Sequence, residues 1–127
     1  MKKNSLVITS LFFLLISFNT KAQSKTGVEY FAGKWSVFIP GTPYGDLKRI
    51  YVLDKSGDGL TGIVQDGEGK EITKCSKVEV KDTEVTLYYQ AQGTDISITL
   101  TKKDEDHVTG SVLGVLAATG ERIKKSD

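Results

Sequence analysis

Cysteine, histidine and tryptophan each occur only once in this chain of 127 residues, as Cys75, His107 and Trp35. A single cysteine excludes an intramolecular disulfide, so the fold must be held together by an apolar core. A single histidine excludes a metal site with two histidine ligands. Because side chains for nucleophilic and metal chemistry are so few, we expect no enzymatic activity, no catalytic residues and no cofactor.

The residues that remain for covalent catalysis do not form a known motif. Gly110–Gly114 contains a serine between two glycines, but its spacing is not that of a G-x-S-x-G nucleophile turn. A thiolate beside an imidazole is a working nucleophile, which leaves Cys75 with His107 as the one pair on paper. The surrounding residues favour a different interpretation: Cys75 is a small apolar strand residue, and His107 begins a strand beside the acidic turn 104–106.

The longest hydrophobic run lies at the N-terminus. Two lysines precede a mostly apolar stretch, residues 6–18, and the small residues Thr20 and Ala22 follow it. A positive start, a short apolar run and small residues before a cut are the three parts of a secretory signal peptide. The run is shorter than the roughly 20 apolar residues that span a bilayer. We therefore predict a signal peptide at residues 1–22, export to the periplasm or the cell exterior, and no stable membrane anchor.

Charge of neither sign dominates the chain, which has 17 basic and 16 acidic residues. The predicted signal peptide contains three of the lysines and no acid, which leaves 14 basic and 16 acidic side chains in residues 23–127. A slight negative net charge without a basic cluster argues against nucleic acid as the partner. The 105 residues after the signal peptide are enough for one domain and not for two.

From residue 33 onward the sequence has the pattern of short strands separated by turns. Runs rich in Val, Ile, Thr, Tyr and Phe alternate with clusters of Gly, Asp, Lys and Ser. None of the connectors is long enough for the crossover helix that parallel strands need. A short helical turn is predicted at 26–32, followed by strands at 34–39, 47–53, 60–65, 71–80, 84–91, 95–102, 107–117 and 120–124.

Alternation of apolar and polar residues indicates which face of the sheet is buried. Val85, Leu87 and Tyr89 point to one side of their strand, and polar residues point to the other. A period of two with one polar face is typical of an antiparallel sheet with one face in water. A meander leaves two exposed edges unless it curls. The predicted fold class is therefore all-β, an up-and-down antiparallel meander of about eight strands in a closed or half-open barrel.

Two motifs connect this pattern to a known group of barrels. Gly33-Lys34-Trp35 opens the first strand, and Leu60-Thr61-Gly62 opens the third. The pair resembles the calycin-type barrels, which include lipocalin-like and avidin-like proteins and the small lipocalin-like domains of exported bacterial proteins. The resemblance implies one lipocalin-like β-barrel domain at residues 23–127. It also implies a structural pair in which Trp35 plugs one end of the barrel and Arg122, from the last strand, lies over it.

The interior of such a small barrel holds either one ligand or its own side chains, and the sequence leaves both alternatives open. In the first alternative, an unknown small apolar ligand contacts the inward-facing residues of the sheet. The candidate ligand-binding residues are Trp35, Val37, Tyr51, Leu87, Tyr89 and Ile98. In the second alternative the barrel is filled, and the protein acts as an interaction module or hydrolase inhibitor that binds another exported protein.

One loop resembles the start of a calcium-binding loop. Asp54, Ser56 and Asp58 have the spacing with which EF-hand loops begin. The bidentate glutamate that completes such a loop is replaced by Gln65, and strands rather than helices flank the segment. A tight turn between strands requires the same Asp and Gly residues, so we predict no metal site and retain these three residues only as a weak calcium candidate.

Exposed aromatic residues are the remaining candidates for binding. Tyr88 and Tyr89 are adjacent, so they must face opposite sides of their strand. The outward-facing one, together with Tyr44 and Phe38, is predicted to form an exposed patch for a protein partner.

Overall fold

The computed structural model describes residues 25–124, so the predicted signal peptide lies outside the described residues. A short helix, α1 (Gly27–Phe31), is followed by nine strands. The strands are β1 (Gly33–Thr42), β2 (Gly45–Ser56), β3 (Gly59–Asp66), β4 (Glu71–Lys74), β5 (Lys77–Val80), β6 (Glu84–Ala91), β7 (Thr94–Lys102), β8 (His107–Val112) and β9 (Leu116–Ile123). Among residues 25–124, no helix has the length and hydrophobicity needed to cross a membrane.

The nine strands form one antiparallel sheet in the order β4-β3-β2-β1-β9-β8-β7-β6-β5. Neighbours in the sheet are neighbours in sequence, except that the first strand, β1, pairs with the last, β9. The two edge strands of this order, β4 and β5, are consecutive in the chain. The sheet curls into a half-open barrel, which confirms the predicted all-β meander with a short N-terminal helical turn.

The strand predicted at 71–80 is broken in the middle. The amide of Cys75 donates to the carbonyl of Gly62 on β3, whereas the amide of Ser76 donates to the carbonyl of Tyr88 on β6, both at 2.8 Å. Successive amides of an extended chain point to opposite sides, so two consecutive residues can bond to two different strands. The chain therefore leaves β3 and joins β6 at this junction, which brings the two edges of the sheet together.

The strand predicted at 107–117 ends earlier, at Val112, and the last strand begins at residue 116 rather than 120. The reason is a turn in which Leu113 and Gly114 both have positive φ, 54° and 73°. The amide of Val115 donates to the carbonyl of Val112 across this turn at 3.0 Å. Two central residues with positive φ are what a type I′ turn requires, and a leucine in the first position gives no sequence signal for it.

The inward-facing residues of the sheet and two residues of α1 form a single buried core. The predicted alternation is confirmed, because Val85, Leu87 and Tyr89 are all buried. Helix α1 closes one end of the barrel with Tyr30 and Phe31, which have no exposed surface.

Glycine is required at position 62, where β3 passes the β4–β5 junction. A Cβ at Gly62 would lie 2.8 Å from Cys75 Sγ and 3.3 Å from Leu53 Cδ2. Both distances are shorter than ordinary van der Waals contact, so any side chain here must displace the core.

We expect Gly62→Ala to lower the free energy of unfolding by about 1–3 kcal/mol, because the added methyl group overpacks the interior. Urea denaturation followed by the fluorescence of Trp35 measures the change. Gly59→Ala is the matched control on the same strand: no atom lies within 4 Å of its added Cβ, so stability should stay within about 0.5 kcal/mol. The double variant Gly62→Ala/Cys75→Ala should cost less than the sum of its single changes. Strict additivity would contradict the proposed clash.

Candidate functional site

The six predicted ligand-binding residues all lie inside the barrel and belong to its core. Tyr89 is 6% exposed, and the other five have no exposed surface. A side chain that borders a space large enough for a water molecule keeps some accessible surface. Other core side chains, and no water-sized space, therefore border Trp35, Val37, Tyr51, Leu87 and Ile98, which is the packing of a core.

The hydroxyl groups of the two inward-facing tyrosines in this set are hydrogen-bond partners of each other. The hydroxyl groups of Tyr51 and Tyr89 are hydrogen-bonded at 2.9 Å. Burial raises the pKa of Tyr51 well above its ordinary value and also raises the pKa of Tyr89. Because each hydroxyl is the other's partner, the pair stays neutral in the core and offers no unpaired polar group to a ligand.

Trp35 lies at the closed end of the barrel, beneath α1. Its indole Nε1 donates to the carbonyl of Phe31 at 3.0 Å. The ring centroids of Tyr30 and Trp35 are 5.5 Å apart, and those of Phe31 and Trp35 are 6.4 Å apart. The three aromatic side chains thus form a plug that joins the helix to the first strand.

Arg122 covers this plug from β9, where it is the cross-strand neighbour of Trp35. Its guanidinium carbon lies 4.3 Å from the centroid of the Trp35 ring and 5.0 Å from that of the Tyr30 ring. Its nitrogens donate to the carbonyls of Tyr30, at 3.1 Å, and Glu105, at 2.9 Å. Nε also lies 3.3 Å from a carboxylate oxygen of Asp106. One side chain therefore links β9, α1 and the β7–β8 turn.

The segment proposed as a weak calcium candidate folds as a hairpin turn. Ser56 pairs with Gly59, and Asp54 pairs with Thr61, so only two residues, Gly57 and Asp58, form the loop. Within residues 25–124 no three side chains of the His, Cys, Asp and Glu types are placed to hold a metal ion. The Asp and Gly residues here serve the backbone geometry of the turn.

The thiol and the imidazole lie in different parts of the sheet. Cys75 packs against the core at the β4–β5 junction, and burial raises its thiol pKa to about 11. His107 begins β8, as predicted, and its Nδ1 is 2.8 Å from a carboxylate oxygen of Asp104. Strands β6 and β7 separate β8 from β5 in the sheet. Cys75 is thus a protonated, half-buried thiol with the character of a structural residue.

The predicted aromatic patch does not assemble from its three members. Tyr88 lies on β6, and its hydroxyl donates to the Glu79 carboxylate at 2.8 Å. Phe38 is on β1, and Tyr44 is in the β1–β2 turn, with β9, β8 and β7 between β1 and β6. Phe38 and Tyr44 are exposed, but Tyr88 belongs to another part of the surface.

A different group of exposed apolar side chains occurs at the end of the barrel opposite α1. Tyr44, Leu113 and Val115 are 77%, 51% and 80% exposed. They lie in the turns β1–β2 and β8–β9, and these turns are at the same end because β1 and β9 are antiparallel neighbours. We call these three residues the apolar tip. Sequence reasoning identified Tyr44 but missed the other two, because Leu113 and Val115 were assigned to the interior of a strand.

The four turns at the end of the apolar tip together contain more acidic than basic residues, although the β8–β9 turn is uncharged. They comprise residues 40–46, 66–71, 91–95 and 112–116. Together these segments contain five carboxylates and one ammonium group: Asp46, Asp66, Glu68, Glu71 and Asp95 against Lys70. Lys48 and Arg49 adjoin the same turns, beside Gly67 and Asp66, so carboxylates outnumber cations at this end by five to three. This small excess of negative charge favours basic groups.

Leu113 is also in an unusual backbone conformation for its residue type. Its φ of 54° lies in the left-handed region, which costs most non-glycine residues about 1–2 kcal/mol. The β6–β7 turn has the same conformation at Gln92, with a φ of 53°, and a polar residue there. The β6–β7 and β8–β9 turns thus have the same backbone conformation, but the first has a glutamine and the second a solvent-exposed leucine at this position.

The chain matches no protein-family model, and comparison with curated proteins finds no significant similarity. The lipocalin-like resemblance is consequently still a prediction from the two motifs.

We expect Arg122→Lys to lower the free energy of unfolding by about 2 kcal/mol, because lysine keeps the charge but loses the planar stack on Trp35 and the fork of hydrogen bonds. The matched control is Arg49→Lys, since Arg49 is not stacked on an aromatic ring among the described contacts and should tolerate the change within about 0.5 kcal/mol. Urea unfolding curves of both variants provide the measurement. Equal effects at the two positions would contradict a structural role of the stack.

Because three tyrosines are buried, we expect the protein to lose stability in alkali. Burial raises the pKa of Tyr30, Tyr51 and Tyr89. A pKa that is higher in the folded chain gives stability that is complete below the unfolded value, about 10, and is lost as the pH rises toward the folded value. The free energy of unfolding should therefore fall above about pH 10. Tyr51→Phe/Tyr89→Phe should reduce the fall, and the exposed-site control Tyr44→Phe should not. An equal fall in all three proteins would show that burial is not its cause.

Proposed function

We propose that the protein is a non-catalytic, exported interaction module that binds a basic and apolar segment of another protein through its apolar tip. The observation that carries the proposal is the combination of a filled interior with apolar side chains exposed at one end of the barrel. A lipocalin-like fold with this packing uses its turns, rather than its inner face, for recognition.

The packing of the interior supports an external binding surface. Leu87 and Ile98, two of the predicted ligand-binding residues, are completely buried by other core residues. The closed end is occupied by α1 and by the Arg122 stack on Trp35. A small apolar ligand would have to displace core side chains, whereas a protein partner can contact the apolar tip without any rearrangement.

The turn conformation supports a role of Leu113 beyond folding. Asparagine and glycine are the preferred residues at positive φ in such turns, because they adopt this conformation at low cost. A leucine there is unfavourable for the turn and also exposes apolar surface to water. Strained residues of this kind persist at binding sites, where the side chain contributes to recognition.

The surrounding charges determine the chemistry of the partner. Five carboxylates and three cations, Lys48, Arg49 and Lys70, lie in or beside the turns at this end of the barrel. Apolar contacts would supply affinity, and the negative field would select lysine or arginine residues beside the apolar segment. The partner is therefore expected to present leucine-like and lysine-like side chains together, and the complex should weaken with salt.

Binding of synthetic peptides tests the proposal. A peptide of leucine and lysine should bind to the full chain without the predicted signal peptide, while leucine–glutamate and serine–lysine peptides of equal length should not. Leu113→Asn should weaken binding by about tenfold or more, since it removes roughly one buried leucine from the interface. Backbone amide NMR shifts during titration locate the contact and give the affinity.

Gln92→Asn is the matched control for this experiment. Both asparagine variants relieve positive φ, so both should raise the free energy of unfolding by about 0.5–1 kcal/mol. Only Leu113→Asn should impair peptide binding. Equal binding by the leucine–lysine and leucine–glutamate peptides, or unchanged binding by Leu113→Asn, would contradict the proposal.

A further inference from the structure

Strands β4 and β5, together with the junction between them, contribute little to the core. Among residues 25–124, they are the two strands in which no side chain is fully buried. Each of the other seven strands contributes at least one buried residue. The inward-facing residues of β4, the junction and β5 are only half-buried: Thr73, Cys75, Val78 and Val80. Because burial of apolar surface is the main stabilising term in a fold, this segment is held less firmly than the rest of the sheet. We call residues 71–80 the strap.

The strap also has short ladders of backbone hydrogen bonds. β4 pairs with β3 through three residue pairs, and a register shift leaves Ile72 without a partner residue on β3. β5 pairs with β6 through four residue pairs. By comparison, eight residue pairs join β2 to β3. Within residues 25–124 no ladder joins β4 to β5, so the ring of strands is incomplete at the strap.

The side-chain contacts that hold the strap lie on the outer surface. Tyr88 on β6 donates to the Glu79 carboxylate at 2.8 Å, and Lys77 Nζ lies 3.2 Å from the same carboxylate. Exposed contacts of this kind stabilise little, because water and salt screen the charges. The stack of Arg122 on Trp35, in contrast, joins β9 to β1 and does not involve the strap.

We propose that the strap opens as a unit while the other seven strands and α1 stay folded, so that the barrel has a gate at the β4–β5 junction. Opening breaks the two bonds in which the junction amides donate to the carbonyls of Gly62 and Tyr88. It uncovers the adjoining edges of β3 and β6 and gives water a route to the interior at Cys75. Segments with few buried contacts and few backbone hydrogen bonds are those that open locally in native proteins. The gate is independent of binding at the apolar tip.

The reaction of Cys75 with a thiol-specific aromatic disulfide measures the opening in the full chain, which has no other cysteine. The thiolate attacks the disulfide and releases one aromatic thiolate, whose absorbance gives the rate. Burial raises the pKa of the Cys75 thiol to about 11, so the thiol reacts slowly while the strap is closed. We expect the native chain to react at least about tenfold faster than its globally unfolded fraction allows. The urea dependence of the rate should be weaker than that of global unfolding but not zero.

Two glycine substitutions separate opening of the strap from unfolding of the whole chain. Thr73→Gly, on β4, should accelerate the reaction about two- to fivefold, because glycine weakens a strand. Thr109→Gly, on β8, is the matched control. It should raise the globally unfolded fraction but leave the reaction rate unchanged, since β8 is folded in both the closed and the open form. Arg122→Lys should behave like the control, because the strap does not contact the stack on Trp35.

Two results would overturn the proposal. If Thr109→Gly and Arg122→Lys accelerate the reaction in proportion to the globally unfolded fraction, Cys75 becomes accessible only when the whole chain unfolds. If the rate depends on neither urea nor Thr73→Gly, the thiol reacts in the closed barrel and no opening takes place. Urea unfolding curves followed by the fluorescence of Trp35 give the globally unfolded fraction of each variant and establish that the compared proteins are folded.

Discussion

The stack of Arg122 on Trp35 is the contact on which the rest of the barrel depends. It joins the last strand to the first, and through Tyr30 and Phe31 it joins both to α1. The same guanidinium also holds the β7–β8 turn through the carbonyl of Glu105. Because β1 and β9 are the most distant strands in sequence, their pairing carries a large loop-closure entropy cost, which this cluster of directional contacts offsets.

Closure at this end has a consequence for the whole interior. With α1 over one end and the β4–β5 junction joining the edges of the sheet, the inward-facing side chains pack against one another as a core. The hydrogen bond between Tyr51 and Tyr89 satisfies the two hydroxyls placed in this apolar surrounding. The surfaces left for recognition are the turns, which include the apolar tip, and the outer face of the sheet.

The sequence was sufficient for the meander, the alternation of Val85 and Leu87, and the position of Trp35 at a strand start. It could not reveal the break at Cys75, because the residue pattern is that of a strand on both sides and the change of partner is a tertiary effect. It also missed the turn at Leu113, since leucine rarely adopts positive φ. Alternation identifies inward-facing residues equally well in a pocket wall and in a filled core. Whether the barrel is filled can therefore be read only from the packing of its side chains in the structure.

The most direct test of this account is the free energy of unfolding of the Leu87→Ala variant without added ligand. Leu87 has no exposed surface and was a candidate ligand-binding residue. In a filled core its truncation leaves a cavity and should cost about 2–5 kcal/mol. In a ligand pocket the same side chain already borders empty space, and its truncation should cost less than about 1 kcal/mol. The larger loss is the predicted result, and the smaller one would contradict a filled barrel and restore the small-ligand alternative.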